Sequence, residues 1–210
     1  MRLRTRLLIS YLVVLTIFTL GMFRIIDHVA IDKLTLAYRN LAQQSINDLA
    51  DANVRSSERI LTGYGEEIVS LHAELAALKL RDALAARGLS QTQDYARLRA
   101  DTALRAIALH EITVKGETVG YTTVFDTAGM CVLHPNRVEV EGCDYRSFAD
   151  TYPDMWKLVE RSFTEAQVSG YYRFVDRQES RVRDKYLVAV RVPGTRFTID
   201  AVVSIDDYFK

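Results

Sequence analysis

The sequence predicts an α+β protein: a five-stranded antiparallel sheet, a long N-terminal helix with further helices beside it, and a membrane-spanning segment ahead of both. Three observations carry this. Residues 7–23 hold no charged side chain at all. Residues 27–110 contain no proline and only three glycines, Gly63, Gly65 and Gly88, and are rich in good helix formers. After residue 110 the apolar period changes to two, and all three prolines, seven of the eleven tyrosines and six of the ten glycines follow.

The first segment reads as an anchor. Arg2, Arg4 and Arg6 precede the uncharged run and Arg24 interrupts it before Ile25 and Ile26. Seventeen helical residues span about 26 Å, a little under the ~30 Å of a bilayer core, and a snorkelling Arg24 lets residues 25 and 26 add half a turn. The arginines favour an N-terminus inside. Expected boundaries are a cytoplasmic stretch at 1–6, a transmembrane helix at 7–26, a helical part at 27–110 and a sheet and pocket part at 111–210. A cleaved signal peptide is the alternative, but residues 24–30 offer no small-x-small cleavage site.

Composition bounds the function. The 210 residues carry 27 basic and 27 acidic side chains, with 49% apolar residues, so the chain is neither disordered nor a basic nucleic-acid binder. Two cysteines are too few for a disulfide scaffold or a four-ligand zinc site. No phosphate loop, dinucleotide fingerprint, zinc-protease helix or nucleophile elbow occurs. Neither a catalytic residue, nor a metal ligand, nor a cofactor is expected.

The helical part is expected to extend the membrane helix directly, because no breaker lies between Phe23 and Gly63. Ala30, Leu34, Ala37 and Leu41 are spaced 4-3-4, a short two-helix seam that suits either this chain's own domain or a parallel homodimer. A second helix is predicted over residues 66–87, capped by Gly88. A third is predicted over 91–110, with Ser90 as cap and Arg97, Arg99 and Arg105 on its surface.

Beyond residue 110, residues 119–125 alternate as a strand, 126–129 turn, and 130–134 return as a hairpin stopped by Pro135. A helix over 153–166 starts on Pro153. Further strands are predicted at 171–175, 185–192 and 197–205, joined by a charged turn at 176–183 and by Pro193-Gly194. Short connections make the neighbours antiparallel, with helices mainly on one face.

The succession of Gly120-Tyr121, Asp126 and Gly129, His134-Pro135, Gly170-Tyr171, Lys185-Tyr186 and a closing Ile205-Asp-Asp-Tyr-Phe209 resembles the single Cache family of extracytoplasmic sensor domains, over about residues 25–210. None of these motifs is specific alone; their order and spacing are. The resemblance implies a PAS-like Cache fold, a place between two transmembrane helices of a bacterial receptor (histidine kinase or chemoreceptor), and an inner-membrane protein whose sensor faces the periplasm. It implies a longer receptor that continues past Lys210 into a second helix and a cytoplasmic output domain, such as a kinase. It also implies a pocket between the sheet and the segment joining the second and third strands, taking a small carboxylate, amino acid or amine.

A small anion in such a cup needs charge-assisted donors within partly apolar walls. Arg146 and Lys185 are the candidate cations. Tyr121 and Tyr172 offer hydroxyls, Phe125, Phe148 and Trp156 offer walls, and His134 offers a hydrogen bond and a pH response. Each has a plainer reading: a solvated arginine, a core tryptophan, a tyrosine packed on Phe125, a histidine that only closes the hairpin. Asp200, on the opposite face from Ile199 and Ala201, would suit an amine ligand. Cys131 and Cys143, twelve apart, would most simply form a disulfide in an oxidising compartment, stabilising by about 2–3 kcal/mol. Cys131 equally suits a buried strand position between Met130 and Val132.

Two functions of different class follow. One is a ligand sensor that relays a conformational change through the membrane. The other is a membrane-anchored periplasmic module that binds a protein and no metabolite. Partners on the first reading are the ligand, the bilayer and a second copy of the chain; nucleic acid is not among them. An exported enzyme is disfavoured by the missing nucleophile motif.

Overall fold

The first helix, α1 (Leu3–Ala86), is unbroken in the computed structural model, which describes residues 3–176 and 181–208. The chain divides into two units, Met1–Glu58 and Arg59–Lys210. In the first unit every described side chain is exposed. Among the described residues α1 is the one helix long and apolar enough to cross a membrane.

The second unit begins within α1. The predicted interruption between Gly63 and a new helix at residue 66 is corrected: both Gly63 and Gly65 are helical. A mid-helix glycine costs about 1 kcal/mol relative to alanine. Burial of Val69, Ala73, Ala76, Ala77, Leu80 and Leu84 along one stripe outweighs that. Gly88 ends the helix as expected. Its φ is +67°, its N–H bonds Ala85 O at 3.1 Å, and the Leu89 N–H bonds Leu84 O at 2.9 Å. These are the two bonds of a Schellman motif.

The third predicted helix is two short ones, α2 (Tyr95–Ala100) and α3 (Thr102–Ala108). Aspartates make the break, since a short carboxylate competes for backbone N–H groups. Asp94 accepts from the Arg97 N–H and Asp101 from the Leu104 N–H, so Ser90 is not the cap. Arg99 and Arg105 are not surface decoration either. Both reach the buried Glu141, at 3.8 and 2.7 Å, and Arg99 also donates to Val132 O.

Six strands follow, one more than predicted: β1 (Glu111–Val114), β2 (Glu117–Asp126), β3 (Cys131–Leu133), β4 (Gln167–Asp176), β5 (Arg181–Arg191) and β6 (Phe197–Ser204). The extra strand is β1. Lys115 and Gly116, with φ of 52° and 87°, give the tight turn that matches strand twist and closes it onto β2. The sheet order is β1-β2-β6-β5-β4, with β3 paired to the end of β2, and every pair is antiparallel. The predicted 176–183 turn is narrower, because β5 begins at Arg181; residues 177–180 lie outside those described. The last strand ends at Ser204, and α5 (Ile205–Tyr208) follows. The helix α4 (Pro153–Arg161) is shorter than the predicted 153–166.

The expectation of helices mainly on one face is corrected: both faces are covered. Ile199, Ala201 and Val203 of β6 pack toward α1 with Val69, Ala73, Ala76 and Leu80. Val202, with Leu187, Ala189, Phe125 and Tyr172, packs on the other face against α4 and the β3–α4 connection. All eight residues of β6 are therefore buried. Gly120 lies where β2 meets β6, and a Cβ there would collide with the Val202 carbonyl. Asp126 ties off the β2–β3 turn. Its Oδ1 accepts from the Ala128 and Met130 N–H groups at 2.9 and 2.8 Å, and its Oδ2 accepts from Tyr95 and Arg196.

Candidate functional site

A cavity opens on the α4 face of the sheet. Strand alternation sets its floor. Thr123 of β2 faces Asp200 of β6, Tyr121 faces Val202, Val202 faces Leu187 of β5, and Lys185 faces Tyr172 of β4. One residue of slip would send each of these to the α1 face. The roof is the β3–α4 connection with α4, which contribute His134, Arg137, Tyr145, Phe148, Tyr152, Met155 and Val159.

The inner chamber has a volume of about 70 Å³ and reaches Asp200. A water needs roughly 10–15 Å³ on this measure, so the chamber takes a few heavy atoms. It opens into a mouth of about 340 Å³ lined by Lys185, Arg137, Asn136 and Glu139. Tyr121, His134, Phe148, Tyr152 and Phe174 line both. The result is an aromatic sleeve with the Asp200 carboxylate at its inner end and, at its outer end, Lys185 beside an Arg137–Glu139 ion pair of 3.0 Å.

Asp200 is 3% exposed. Its Oδ1 accepts from the Thr123 N–H at 3.1 Å and from the Thr123 hydroxyl. Burial pushes its carboxyl up to about 6, against the opposing pull of the Thr123 bonds and the Lys185 charge. His134 moves the other way. Burial, then the charge of Arg137, push its imidazole down to about 4. Its Nδ1 accepts the Asn136 and Arg137 N–H groups at 3.2 and 3.0 Å. The neutral ring thus carries its proton on Nε2, a donor on a ring that lines the cavity. Burial raises the Tyr145 and Tyr172 hydroxyls well above the usual range, so both stay protonated. The Lys185 ammonium sits 4.2 Å from the Phe174 ring centroid and 5.5 Å from that of Tyr121, held at the mouth by cation–π contact.

The roof is pinned from behind. Glu141, with a side chain 4% exposed, accepts from Arg105 at 2.7 Å and from the His134 N–H at 2.9 Å. The bond between Glu141 and the His134 backbone ties the cavity wall to α2 and α3.

Of the eight ligand residues expected from sequence, five line this cavity: Tyr121, His134, Phe148, Tyr172 and Lys185. Three do not. Phe125 is wholly buried against Tyr145 and Phe163. Trp156 packs edge-on against Phe163, both set against the core that contains Phe125 and Leu158. Arg146 is exposed and donates to Ala128 O at 2.9 Å. The expected disulfide is not formed, and both cysteines are free. The Cys131 N–H bonds Cys143 O at 2.9 Å. Cys131 Sγ meets the Tyr145 hydroxyl and Cys143 Sγ meets Glu139 O.

Sequence reasoning missed Thr123, Arg137, Tyr145, Tyr152 and Phe174. Period-two alternation would have found two of them, since Thr123 lies two residues from Tyr121 and Phe174 two from Tyr172. Asp200 was placed on the correct face. The others sit on irregular backbone, where no period operates.

No protein-family model matches the sequence. No curated protein matches it either. The structure is similar to a periplasmic sensor domain of a chemotaxis protein, with a TM-score of 0.50 and 20% identity over 69% of this chain and 98% of the other. It is similar to a methyl-accepting chemotaxis protein from Vibrio parahaemolyticus, with a TM-score of 0.50 and 15% identity over 74% and 97%. A Cache chemosensory domain solved for its carboxylic acid recognition aligns at a TM-score of 0.44 and 16% identity over 76% and 98%. The fold is that of these periplasmic sensor domains, as the single Cache resemblance implies, and at such identities the likeness is one of fold.

Proposed function

We propose that this chain is the sensing part of a membrane signalling receptor and that its cavity binds a small metabolite carrying both a protonated amine and a carboxylate, an amino acid or a close relative. The observation that carries the ligand class is the Asp200 carboxylate, buried at the inner end of a preformed aromatic cavity whose mouth holds Lys185 and Arg137. An ionised carboxylate in that setting lacks solvation that an ammonium group restores. The ligand carboxylate then lies toward Lys185 and Arg137, and the Tyr121 and Phe174 rings enclose the carbon between. The His134 Nε2–H supplies a neutral donor.

The sensor fold and the long apolar helix support the topology: residues 1–6 in the cytoplasm, 7–26 across the inner membrane, 27–210 on the periplasmic side. The seam of Ala30, Leu34, Ala37 and Leu41 is the contact for a second copy. Binding relays a signal only if the ligand prefers one of two helix arrangements, typically by about 1–3 kcal/mol.

A thermal-shift screen of the full chain in detergent micelles, against amino acids, amines and carboxylates, tests this. A ligand at 100 times its Kd adds about 2.7 kcal/mol. The expected result is a shift with amino acids that Asp200→Asn abolishes. A shift with simple carboxylates that survives Asp200→Asn overturns the ligand class. No response from any class transfers the assignment to the protein-binding module.

A further inference from the structure

Within the second unit, α1 is apolar on two faces. One face, from Val69 to Leu84, is buried against the rest of the unit. The opposite face carries Leu61, Tyr64, Ile68, Leu71, Leu75 and Leu78, which are 43–63% exposed. Their spacing alternates three and four throughout, which makes them the a and d positions of a heptad repeat. At 1.5 Å per residue the stripe is about 26 Å long. It stops at Asp82, which takes the next a position and is exposed. Large side chains left half-exposed one after another along such a length mark an interaction surface.

The charges beside the stripe select its occupant. With Leu61 as a, Glu67 and Glu74 take g positions and His72 and Lys79 take e positions, and all four are exposed. In a parallel, in-register pair of helices, g of one copy meets e of the next heptad in the other. That sets Glu67 opposite His72 and Glu74 opposite Lys79, each twice about the two-fold axis. An antiparallel pair would set g against g, and so Glu67 against Glu74. Ile68 at a, with Leu71 and Leu78 at d, also suits two strands. We infer that a second copy of this chain docks here, its α1 parallel and in register along residues 61–78. The inference does not rest on the ligand assigned to the cavity. It adds a contact within the sensing unit to the one proposed at residues 30–41.

The test uses the full chain in maltoside micelles, with Cys143→Ser throughout so that the buried Cys131 is the one native thiol left. Single cysteines are introduced as Tyr64→Cys, Leu78→Cys, Leu34→Cys and Ser70→Cys, and oxidative dimer formation is followed on non-reducing gels. Tyr64 and Leu78 are both d positions, each facing its own counterpart only if the copies are parallel and in register. Both variants should therefore cross-link, whereas an antiparallel pair allows one at most. Ser70, off the stripe and bonded by the Gln167 amide, should cross-link at least about tenfold more slowly. In the Leu78→Cys chain, Glu74→Lys should slow cross-linking about threefold or more, and adding Lys79→Glu should restore it. Tyr64, Leu78, Glu74 and Lys79 are exposed, so these changes leave the fold intact. No dimer at Tyr64→Cys and Leu78→Cys overturns the inference, and a dimer at Leu34→Cys alone confines pairing to residues 30–41. Equal rates at Ser70→Cys, or a Glu74→Lys loss that Lys79→Glu does not restore, overturn it as well. The thermal shift with amino acids reads the ligand assignment separately.

Discussion

Asp200 and His134 line one cavity and answer acid in opposite senses. Burial holds the Asp200 carboxyl at about 6 instead of its ordinary 3.8. The folded protein keeps a proton there that the unfolded chain has lost. The resulting stability is full below pH 3.8 and disappears as pH rises through about 6. The difference corresponds to about 3 kcal/mol. Burial holds the His134 imidazole at about 4 instead of 6.5. Here the unfolded chain takes the proton first, so stability is full above pH 6.5 and disappears as pH falls through about 4, again by about 3 kcal/mol. The two slopes share one window and oppose each other, so their sum changes by no more than about 1 kcal/mol between roughly pH 4 and 6.5. Asp200→Asn retains an acceptor for the Thr123 N–H and removes one slope. That variant should lose about 3 kcal/mol on going from pH 6.5 to 4. His134→Asn should gain about as much over the same interval. Urea unfolding at half-unit pH steps, followed by fluorescence of the single tryptophan, Trp156, measures this. In melting temperature the tilt is about 6–12 °C for a unit of this size. Carboxylates held low elsewhere, such as Asp101 and Glu165, act equally in all three proteins and drop out of the differences. Parallel profiles for the native protein and both variants would refute the reasoning.

Three further outcomes are expected. Glu141→Gln removes the charge between Arg99 and Arg105 and should cost about 2 kcal/mol in urea unfolding, under the ~3–5 of a fully buried pair because both arginines are partly exposed; a neutral result would show that the arginines, not the carboxylate, secure the connection. Gly120→Ala forces β2 from β6 at the Val202 carbonyl and should lower the melting temperature by more than 5 °C, about 2 kcal/mol; an unchanged melt would mean that the strands part freely there. In thiol titration, Cys143 should react in the native protein while Cys131, buried with its thiol pushed up to about 12, reacts only after unfolding; two native reactive thiols would contradict the shielding of Cys131, and none after denaturation without reductant would contradict the free pair.

The regular parts of this molecule were legible because they follow a period. The apolar 7–23 run, the Gly88 stop and the β2, β5 and β6 alternations each state their own structure in the identities of neighbouring residues. The errors fall where one local signal meets a tertiary one. Gly63 and Gly65 weaken a helix, but the stripe from Val69 to Leu84 carries it through. Asp101 looks like any helix-surface aspartate until its carboxylate takes the Leu104 N–H. The site shows the same division. Tyr121, Tyr172 and Lys185 stand on predicted strands, and the Cache resemblance brings Lys185 forward, whereas Tyr145, Tyr152 and Arg137 hang from irregular backbone tied by Glu141 to helices more than 30 residues upstream. Arg146 misled because charge suggests a ligand, while its guanidinium serves the neighbouring turn at Ala128.

Strand β6 belongs to two cores at once. Asp200 and Val202 form part of the cavity floor, and Ile199, Ala201 and Val203, their immediate neighbours, are wedged beneath α1. The partition between the two compartments is one peptide thick and bonded along both edges. Such a wall is stiff: it cannot bow toward a guest molecule without opening a void behind it. Any fit to a guest therefore has to come from the roof side, made of two 3-10 turns and a nine-residue helix, within the limits set by the Glu141 tie.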